Sequence, residues 1–389
     1  MVLPEKGHIH PMLGPAGELA SRGWEVAFYA SHDIAGTLAA AGFDRFFGGR
    51  DAVLPPDASR GRELAALVKD AARLRAWIAA MLVGSVPPQV DALREVVASF
   101  APDVLVIDPM AYHGAIVAEL AGLPWVGLSS SLNPVVPDAW DSELIATTRA
   151  LSADRVALFE RYDVKPPPFR VCDALSPWGT AAFTTEAFVE PRAADAGAPV
   201  VLAGPSLPAR SPTAATRAAR PLVLMSLGSQ IYFQPRMFAT VIAAVRGKPI
   251  DLLISAAELA PQLEGLEGKG LPGNVRVERW VAQLDVLERA HVLVTHGGAN
   301  SVMEALTFGV PMLVTPICND QPHNARLVVG SRAGVALDLD VATVAQTEAT
   351  LDLLLASGTE RAAAARISAS YRARSGSAVA ADLVERALA

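Results

Sequence analysis

The sequence predicts an α/β protein with two domains, each built on a parallel sheet. Strand-like and helix-like segments alternate along most of the chain, as they do when crossover helices join parallel strands. The length of 389 residues is about twice that of a typical domain. A proline-rich stretch interrupts the alternation near the middle. We therefore predict domains at residues 1–204 and 221–370, a linker at 205–220, and a ligand cleft between the two domains.

The N-terminal domain begins with very little strand sequence. Only "MVLP" precedes "EKGHIHPMLGPAGELASRG", which reads as a helix with Pro11 near its first turn and Gly23 just past its end. A first strand of roughly five or six residues is typical. We expect either a short first strand or a start codon that lies inside the gene. In the second case the reading frame upstream of Met1 encodes more strand.

The remaining elements of this domain follow in order. Residues 61–100 show apolar positions at helical spacing, which indicates core-packing helices. "DVLVID" at 103–108 and "PWVGLS" at 124–129 are short strands, and "YHGAIVAELAGL" between them is a helix that stops at Gly122. Residues 129–177 are irregular and contain a proline run at 166–168, which is typical of a loop that lines a pocket.

The alternation stops at "GPSLPARSPTAATRAARP" and then restarts. Prolines among Ser, Thr, Ala and Arg without an apolar period are typical of a linker. Strands are predicted beyond it at 222–229, 250–255, 274–280, 291–296 and 310–316, with helices between them. Residues 371–389 are predicted to form a C-terminal helix that packs back on the N-terminal domain.

The composition argues against several classes of partner. The net charge is −7 and the sequence pI is about 5.6, which disfavours nucleic acid and anionic membranes. The two cysteines are too few for a disulfide framework or a cysteine metal site. No apolar run reaches about 18 residues, and the N-terminus lacks the apolar core of a signal peptide. We predict a cytoplasmic protein without a membrane span or a nucleic-acid partner.

The stretch "VTHGGANSVMEALTFGVP" at 294–311 concentrates polar chemistry where a strand passes into a helix. His296 ends the strand, and two glycines form a turn without side chains. The helix N-terminus offers unpaired amides and positive dipole charge, which suit a phosphate. Asn300 and Ser301 lie in the first turn and can donate further hydrogen bonds. Glu304 lies one turn beyond Asn300, where a carboxylate can accept from the hydroxyls of a nucleotide sugar.

This stretch resembles the nucleotide-sugar signature of the family 1 glycosyltransferases, which have the GT-B fold of two Rossmann-like domains facing across a cleft. The family includes plant secondary-metabolite glucosyltransferases and bacterial macrolide and zeaxanthin glycosyltransferases. The resemblance covers nearly the whole chain. It implies that His296, Gly298, Asn300 and Ser301 hold the diphosphate and that Glu304 holds the ribose.

Three further segments carry the same resemblance. "RWVAQLDVL" at 279–287 implies that Trp280 stacks on the nucleobase and that the main chain around Val281 and Gln283 reads its edge. "PICNDQPHNA" at 316–325 resembles the segment whose Asp/Gln pair binds hexose hydroxyls, and "MSLGS" at 225–229 resembles a phosphate loop. The resemblance therefore implies that Asp320 and Gln321 bind the hexose and that Ser229 approaches the phosphate.

The resemblance also implies a catalytic pair. The family's general base follows a glycine near the N-terminus, which is His8 here, and its acidic partner ends the strand "PDVLVID" as Asp108. A histidine is a good base near neutral pH, and a carboxylate fixes its tautomer. His10, where the family often has Asn or Thr, is the rival base. The reaction implied is one inverting displacement of a nucleoside diphosphate.

We therefore predict an enzyme that moves a hexose, glucose first, to a hydroxyl of an apolar small molecule. UDP is preferred over TDP, because Glu304 suits the two hydroxyls of a ribose. No metal and no cofactor are expected, since helix amides and a histidine neutralise the leaving phosphate; "DLD" at 338–340 is not expected to bind one. Linkage through nitrogen, sulfur or carbon stays open. The alternatives are a UDP-sugar 2-epimerase and a non-catalytic nucleotide-sugar-binding partner of another transferase.

Overall fold

A computed structural model describes residues 1–50, 61–189, 199–208, 220–265 and 270–389. Most of the predicted linker at 205–220 lies outside these ranges. The described residues form two compact units. The first contains 1–50, 71–189, 199–208 and 374–389, and the second contains 61–70, 220–265 and 270–373.

The first unit combines short parallel strands with helices. Its helices are α1 (Lys6–Ser21), α2 (Ala35–Ala40), α4 (Ala71–Ala79), α5 (Val86–Phe100), α6 (Tyr112–Ala121), α7 (Glu143–Ala150), α8 (Ser152–Glu160) and α16 (Gly376–Arg386), with a π-helical turn at Ala80–Gly84. Its strands are β1 (Phe28–Ala30), β2 (Phe46–Gly48), β3 (Leu105–Ile107), β4 (Trp125–Ser129), β5 (Phe169–Arg170), β6 (Asp173–Ala174), β7 (Thr180–Ala182) and β8 (Val200–Leu202). A parallel sheet has the order β3-β4-β7-β8, and β1 pairs in parallel with β2.

The first residues of the chain run between β1 and β3. The amide of Val2 donates to the carbonyl of Tyr29 at 3.0 Å, and the amide of Asp108 donates to the carbonyl of Met1 at 3.0 Å. The N-terminal amino group donates to the carbonyl of Val106 at 2.7 Å. These bonds place the start of α1 directly beside the carboxyl end of β3.

The C-terminal helix α16 packs against α1 within the first unit. Arg22, at the end of α1, bridges Asp382 at 2.7 Å and Glu385 at 2.8 Å. Gly376 approaches the main chain of Pro205 so closely that a Cβ would lie 2.4 Å from its carbonyl oxygen.

The second unit holds one six-stranded parallel sheet of order β11-β10-β9-β12-β13-β14. Its strands are β9 (Leu222–Ser226), β10 (Asp251–Ser255), β11 (Val275–Glu278), β12 (Val292–Thr295), β13 (Met312–Val314) and β14 (Gly334–Ala336). Its helices are α3 (Gly61–Leu67), α9 (Pro235–Ala244), α10 (Ala260–Gly265), α11 (Gln283–Leu287), α12 (Ala299–Thr307), α13 (Gln321–Gly330), α14 (Val344–Ala356) and α15 (Gly358–Arg372).

The strand order reverses between β9 and β12. In an open parallel sheet this is the switch point, where the loops beyond the two strands separate and leave a crevice. The loops concerned are those at 227–229 and 296–298, so sequence-predicted donor residues lie at the crevice. Beneath them, one face of the sheet packs β-branched and leucine side chains against α9 and α14.

Helix α3 belongs to the second unit although it falls within the span predicted for the first domain. The amide of Gly61 donates to the carbonyl of Gln230 at 2.7 Å, and Arg62 lies over the ring of Phe233 at 4.5 Å. Lys69 lies 3.6 Å from Asp340. Among the residues described, no helix has both the length and the apolarity needed to cross a membrane.

Candidate active site

His8 and Asp108 form a hydrogen-bonded pair in the first unit. His8 lies in the first turn of α1, and Asp108 follows β3. The Nδ1 atom of His8 lies 2.7 Å from Oδ2 of Asp108. The side chain of Asp108 is 1% exposed, whereas that of His8 is 22% exposed. The pair therefore has a buried carboxylate behind an imidazole that solvent can reach.

The carboxylate of Asp108 is oriented from both sides. Its Oδ1 accepts from the amide of Met110 at 3.0 Å, while Oδ2 faces His8. A carboxylate at Nδ1 favours the tautomer with the proton on that nitrogen and leaves the Nε2 lone pair available as a base. The structure thus brings together the two residues of the predicted catalytic pair, whose roles stay predictions.

His10 has different surroundings. Desolvation, and secondarily the charge of Lys6, lower the pKa of His10 below its ordinary value. In the ranges that the structure describes, no hydrogen bond or ion pair joins His10 to a carboxylate. An orienting partner is therefore found for His8 and not for its rival.

Ser130 is a neighbour of His8 that the sequence reasoning missed. Its Oγ lies 2.7 Å from the same Nδ1 atom that contacts Asp108. Ser130 follows β4, the strand next to β3, so both strand ends reach the same edge of the sheet. The sequence signal for Ser130 was the run of three serines at the end of a predicted strand, residues 129–131.

In the second unit, β12 leads into α12 through a turn without side chains. Gly297 has a φ of +85°, in the left-handed region that favours glycine. Gly298 is the N-cap, and no side chain caps α12. The first amides of α12 therefore keep their capacity to bind an anion.

The imidazole of His296 fits between two glycines. A Cβ on Gly298 would lie 2.6 Å from its Nε2, and a Cβ on Gly228 would lie 2.8 Å from its Cε1. Burial lowers the pKa of His296 to about 4, against a smaller opposing effect of a hydrogen bond with the main chain of Ser226. A histidine with this pKa is neutral at pH 7, where it can offer a hydrogen bond but no charge.

Glu304 and Ser301 on α12 and Gln283 on α11 form one polar group, in which Ser301 is buried and the other two are partly buried. The Nε2 of Gln283 donates to Glu304 at 2.6 Å and lies 3.3 Å from the hydroxyl of Ser301. Burial raises the pKa of Glu304 to about 7, and the bond from Gln283 opposes this. The side chain of Gln283 thus contacts Glu304, the residue predicted to bind the ribose. The family resemblance had assigned the main chain of Gln283 to the edge of the nucleobase.

The indole of Trp280 is partly exposed to solvent. It follows β11, precedes α11 and is 52% exposed. Its neighbour Val281 is partly buried, as are Asn300 in the first turn of α12 and Ser229 in the loop after β9. An exposed indole at the edge of a sheet is suited to stacking on a base.

Asp320 and Gln321 lie at the start of α13 and differ in availability. The side-chain oxygen Oε1 of Gln321 accepts from the main-chain amides of Ile317 at 2.8 Å and Cys318 at 3.1 Å, and Gln321 is 4% exposed. Only its amide nitrogen is left to serve a sugar. Asn324 donates to Asp320 at 2.8 Å and to the carbonyl of Gly297 at 2.8 Å. It therefore links Asp320, which is predicted to bind the hexose, to the turn before α12.

Residues 212–374 match the family model described as UDP-glucoronosyl and UDP-glucosyl transferase. The chain is 31% identical over 283 residues to the L-demethylnoviosyl transferase of Streptomyces niveus, which covers 71% of this chain and 69% of that protein. It is 27% identical over 354 residues to the NDP-glycosyltransferase YjiC of Bacillus subtilis (strain 168), over 89% of this chain and 86% of that one.

Solved structures share the architecture over the whole length. The glycotransferase of kitacinnamycin superposes with a TM-score of 0.79 at 27% identity, over 100% of this chain and 97% of that chain. The glycosyltransferase VinC, solved in complex with DTDP, has a TM-score of 0.73 at 21% identity, over 99% and 98%; this second likeness concerns the fold. With two Rossmann-like units and these relatives, the chain belongs, as its motifs predicted, to the family 1 glycosyltransferases of GT-B fold.

Proposed function

We propose that this glycosyltransferase is an inverting enzyme that moves a hexose, glucose first, from UDP-sugar to a hydroxyl of an apolar small molecule. The observation that carries the proposal is the 2.7 Å contact between His8 and the buried Asp108. This contact supplies a base with a fixed tautomer, which can deprotonate an acceptor hydroxyl. A 2-epimerase and a silent binding partner have no added acceptor to deprotonate.

The reaction is a single displacement. Nε2 of His8 takes the proton of the acceptor hydroxyl while the acceptor oxygen forms a bond to the anomeric carbon. The bond from that carbon to the diphosphate oxygen breaks, and the nucleoside diphosphate leaves with the electron pair. Asp108 stabilises the imidazolium, and attack opposite the leaving group inverts the anomeric centre.

The second unit stabilises the leaving group without a charged side chain. The amides at the start of α12 and the neutral His296 donate to the phosphate oxygens, where negative charge develops. Asn300, Ser301 and Ser229 add further donors. Neutralisation by donors of this kind is why we propose a metal-independent enzyme without a cofactor.

UDP is the proposed nucleotide because of Glu304. Two carboxylate oxygens can accept from both hydroxyls of a ribose, whereas a deoxyribose offers one of them. A TDP-sugar is the second candidate, supported by the DTDP complex of VinC and its like fold. The glycotransferase of kitacinnamycin, which is 27% identical to this chain, supports a natural-product acceptor.

The test is release of UDP from UDP-glucose, with and without a panel of polyketide, macrolide, flavonoid and terpenoid alcohols. Transfer predicts release only with an acceptor, together with a glycoside detected by mass spectrometry. Conversion of the sugar without an acceptor would indicate an epimerase, and binding without turnover would indicate a silent partner.

The base is tested by two matched variants. We expect His8→Ala to lower turnover by roughly 10²–10⁴-fold and to leave UDP affinity unchanged in calorimetry. His10→Ala, on the same turn, is expected to keep most of the activity. A larger loss in His10→Ala would assign the base to His10 instead.

A further inference from the structure

Ser130 occupies a position that the proposed chemistry does not yet explain. Its hydroxyl and the carboxylate of Asp108 both lie 2.7 Å from Nδ1 of His8. A ring nitrogen has one site in the plane of the ring, which is either an N–H or a lone pair. The serine and the carboxylate therefore share one proton position.

The two possible roles of the serine have opposite consequences. If Nδ1 carries the proton, its hydrogen bond is shared between Asp108 and Ser130, with the serine accepting the weaker branch, and Nε2 carries the lone pair that acts as the base. If Nδ1 carries the lone pair, Ser130 donates to it, the proton sits on Nε2, and the ring cannot act as the base. The buried carboxylate decides between them, because a charge-assisted bond is about twice as strong as a neutral one.

The turn that carries Ser130 is anchored on a buried carboxyl group. Ser129 donates to Oδ2 of Asp173 at 2.5 Å, and the side-chain amide of Asn133 donates to Oδ1 at 2.7 Å. Ser131 continues the network, since its hydroxyl accepts from the amide of Asn133 at 3.1 Å. Residues 129–133 are thereby held on both sides of Ser130, which fixes where its hydroxyl meets the imidazole.

From this geometry we propose that Ser130 is a positioning residue for His8: it accepts from Nδ1–H beside Asp108, fixes the plane of the ring and helps to stabilise the imidazolium. The inference rests on the proposed function, in which His8 is the base. Ser130 thereby joins His8 and Asp108 as a third residue of the site, and the hydrogen bonds of Asp173 hold Ser130 in position.

Other titratable groups lie near His8 and have to be considered when the pH profiles are compared. Burial raises the pKa of Asp173 to about 7, opposed by its bonds from Ser129 and Asn133. Burial lowers the pKa of the Met1 amino group to about 6, opposed by Asp108. Lys6 lies on the same helix. All of them are retained in a Ser130 variant, so the difference between two profiles reports the serine.

The experiment compares Ser130→Ala, Ser130→Thr and wild type in kcat against pH. Loss of a hydrogen bond predicts a roughly 3- to 10-fold lower kcat in Ser130→Ala. The acid limb should move to lower pH, because the imidazolium loses an acceptor. Ser130→Thr keeps the hydroxyl and should restore both quantities. Ser21→Ala, on the exposed end of α1, is the control and should match wild type.

Three results would overturn the proposal. A Ser130→Ala profile that moves to higher pH with kcat unchanged or raised would show that the serine donates to Nδ1. An unshifted profile would show a structural role only. Failure of Ser130→Thr to restore the profile would count against the hydroxyl as the active group.

The titration of the His8 ring by NMR supplies a readout that needs no acceptor. The pKa of His8 should be lower in Ser130→Ala than in wild type and Ser130→Thr. If the proposed function fails, His8→Ala keeps turnover or wild type transfers nothing, whatever the NMR shows. If only this inference fails, His8→Ala is inactive while the His8 titration is the same in all Ser130 variants.

Discussion

We predict that donor binding depends on pH through the proposed contact between Glu304 and the ribose. Burial raises the pKa of this carboxyl to about 7, well above its ordinary value. It is therefore charged above pH 7 and increasingly protonated below it. The ionised form accepts from both ribose hydroxyls, whereas the protonated form loses part of that capacity. Donor affinity should fall as the pH drops through 7.

The size of the effect follows from the fraction ionised. With a pKa of about 7, roughly nine-tenths of Glu304 is ionised at pH 8 and roughly one-tenth at pH 6. If the ribose binds the ionised form, the dissociation constant should rise by close to tenfold over this interval, about 1.4 kcal/mol. The same coupling predicts proton release from the protein when the donor binds at pH 6.

Calorimetry with UDP-glucose measures this directly. UDP-glucose is preferred to UDP, because a terminal phosphate itself titrates near pH 6. The control is Glu304→Gln, which keeps the shape of the side chain but does not titrate. We expect weaker binding in this variant and a nearly flat dependence between pH 6 and 8.

The outcome also distinguishes the two donor candidates. A deoxyribose offers a single hydroxyl, so TDP-glucose should bind with a shallower pH dependence than UDP-glucose. Equal slopes in wild type and Glu304→Gln would refute the assignment of the ribose to Glu304, because the titrating group would then lie elsewhere.

Two further changes test the donor site. Trp280→Ala should weaken UDP-glucose binding by about 1–3 kcal/mol through lost stacking and leave the thermal unfolding midpoint unchanged, since the indole is 52% exposed; equal affinity would remove Trp280 from the site. Gly298→Ala should displace the ring of His296, which a Cβ would approach to 2.6 Å, and cost about 1–3 kcal/mol of stability as well as nucleotide affinity. Gly330→Ala, where a Cβ meets nothing within 4 Å, is the matched control in unfolding and calorimetry.

The second unit was the easier of the two to predict from sequence. Its strands are mostly apolar runs ended by turn residues, and each of the five predicted runs overlaps a strand of the sheet, whereas the edge strand β14 was not predicted. The motif at 294–311 is local, because a strand, a turn and a helix place His296 and Glu304 within nine residues. Local geometry of this kind depends on period and turn chemistry, which the sequence displays.

The surroundings of His8 could not be predicted in the same way. Its contact with Asp108 joins residues 100 positions apart, and that with Ser130 joins residues 122 apart. Hydrophobic periodicity does not encode such distances. The first of these contacts was anticipated from a family resemblance, while the second depends on which strand lies next to β3. The carboxyl of Asp173 left no signal, since its strand has two residues.

Gln321 shows a different limit of sequence reasoning. The motif identifies an amide side chain near the sugar, but not which of its atoms is already used. Its carbonyl oxygen accepts two main-chain amides that would otherwise lack a partner at the bend before α13. Asp320 is partly exposed, and its Oδ2 accepts from Asn324. We therefore assign most of the contact with the hexose to Asp320.

We expect the donor site to bind the diphosphate through partial charges, and two glycines leave room for this arrangement. A protonated histidine would attract the diphosphate before and after the reaction alike, which strengthens product binding without lowering the barrier. Burial keeps His296 neutral, with a pKa of about 4, so its hydrogen bond gains strength mainly as charge develops on the leaving oxygen. The main chain at Gly228 and Gly298 lies so close to the ring that a Cβ on either residue would come within 3 Å of it. The missing side chains leave room for the imidazole, and we expect this room to let a neutral histidine reach the phosphate of the donor.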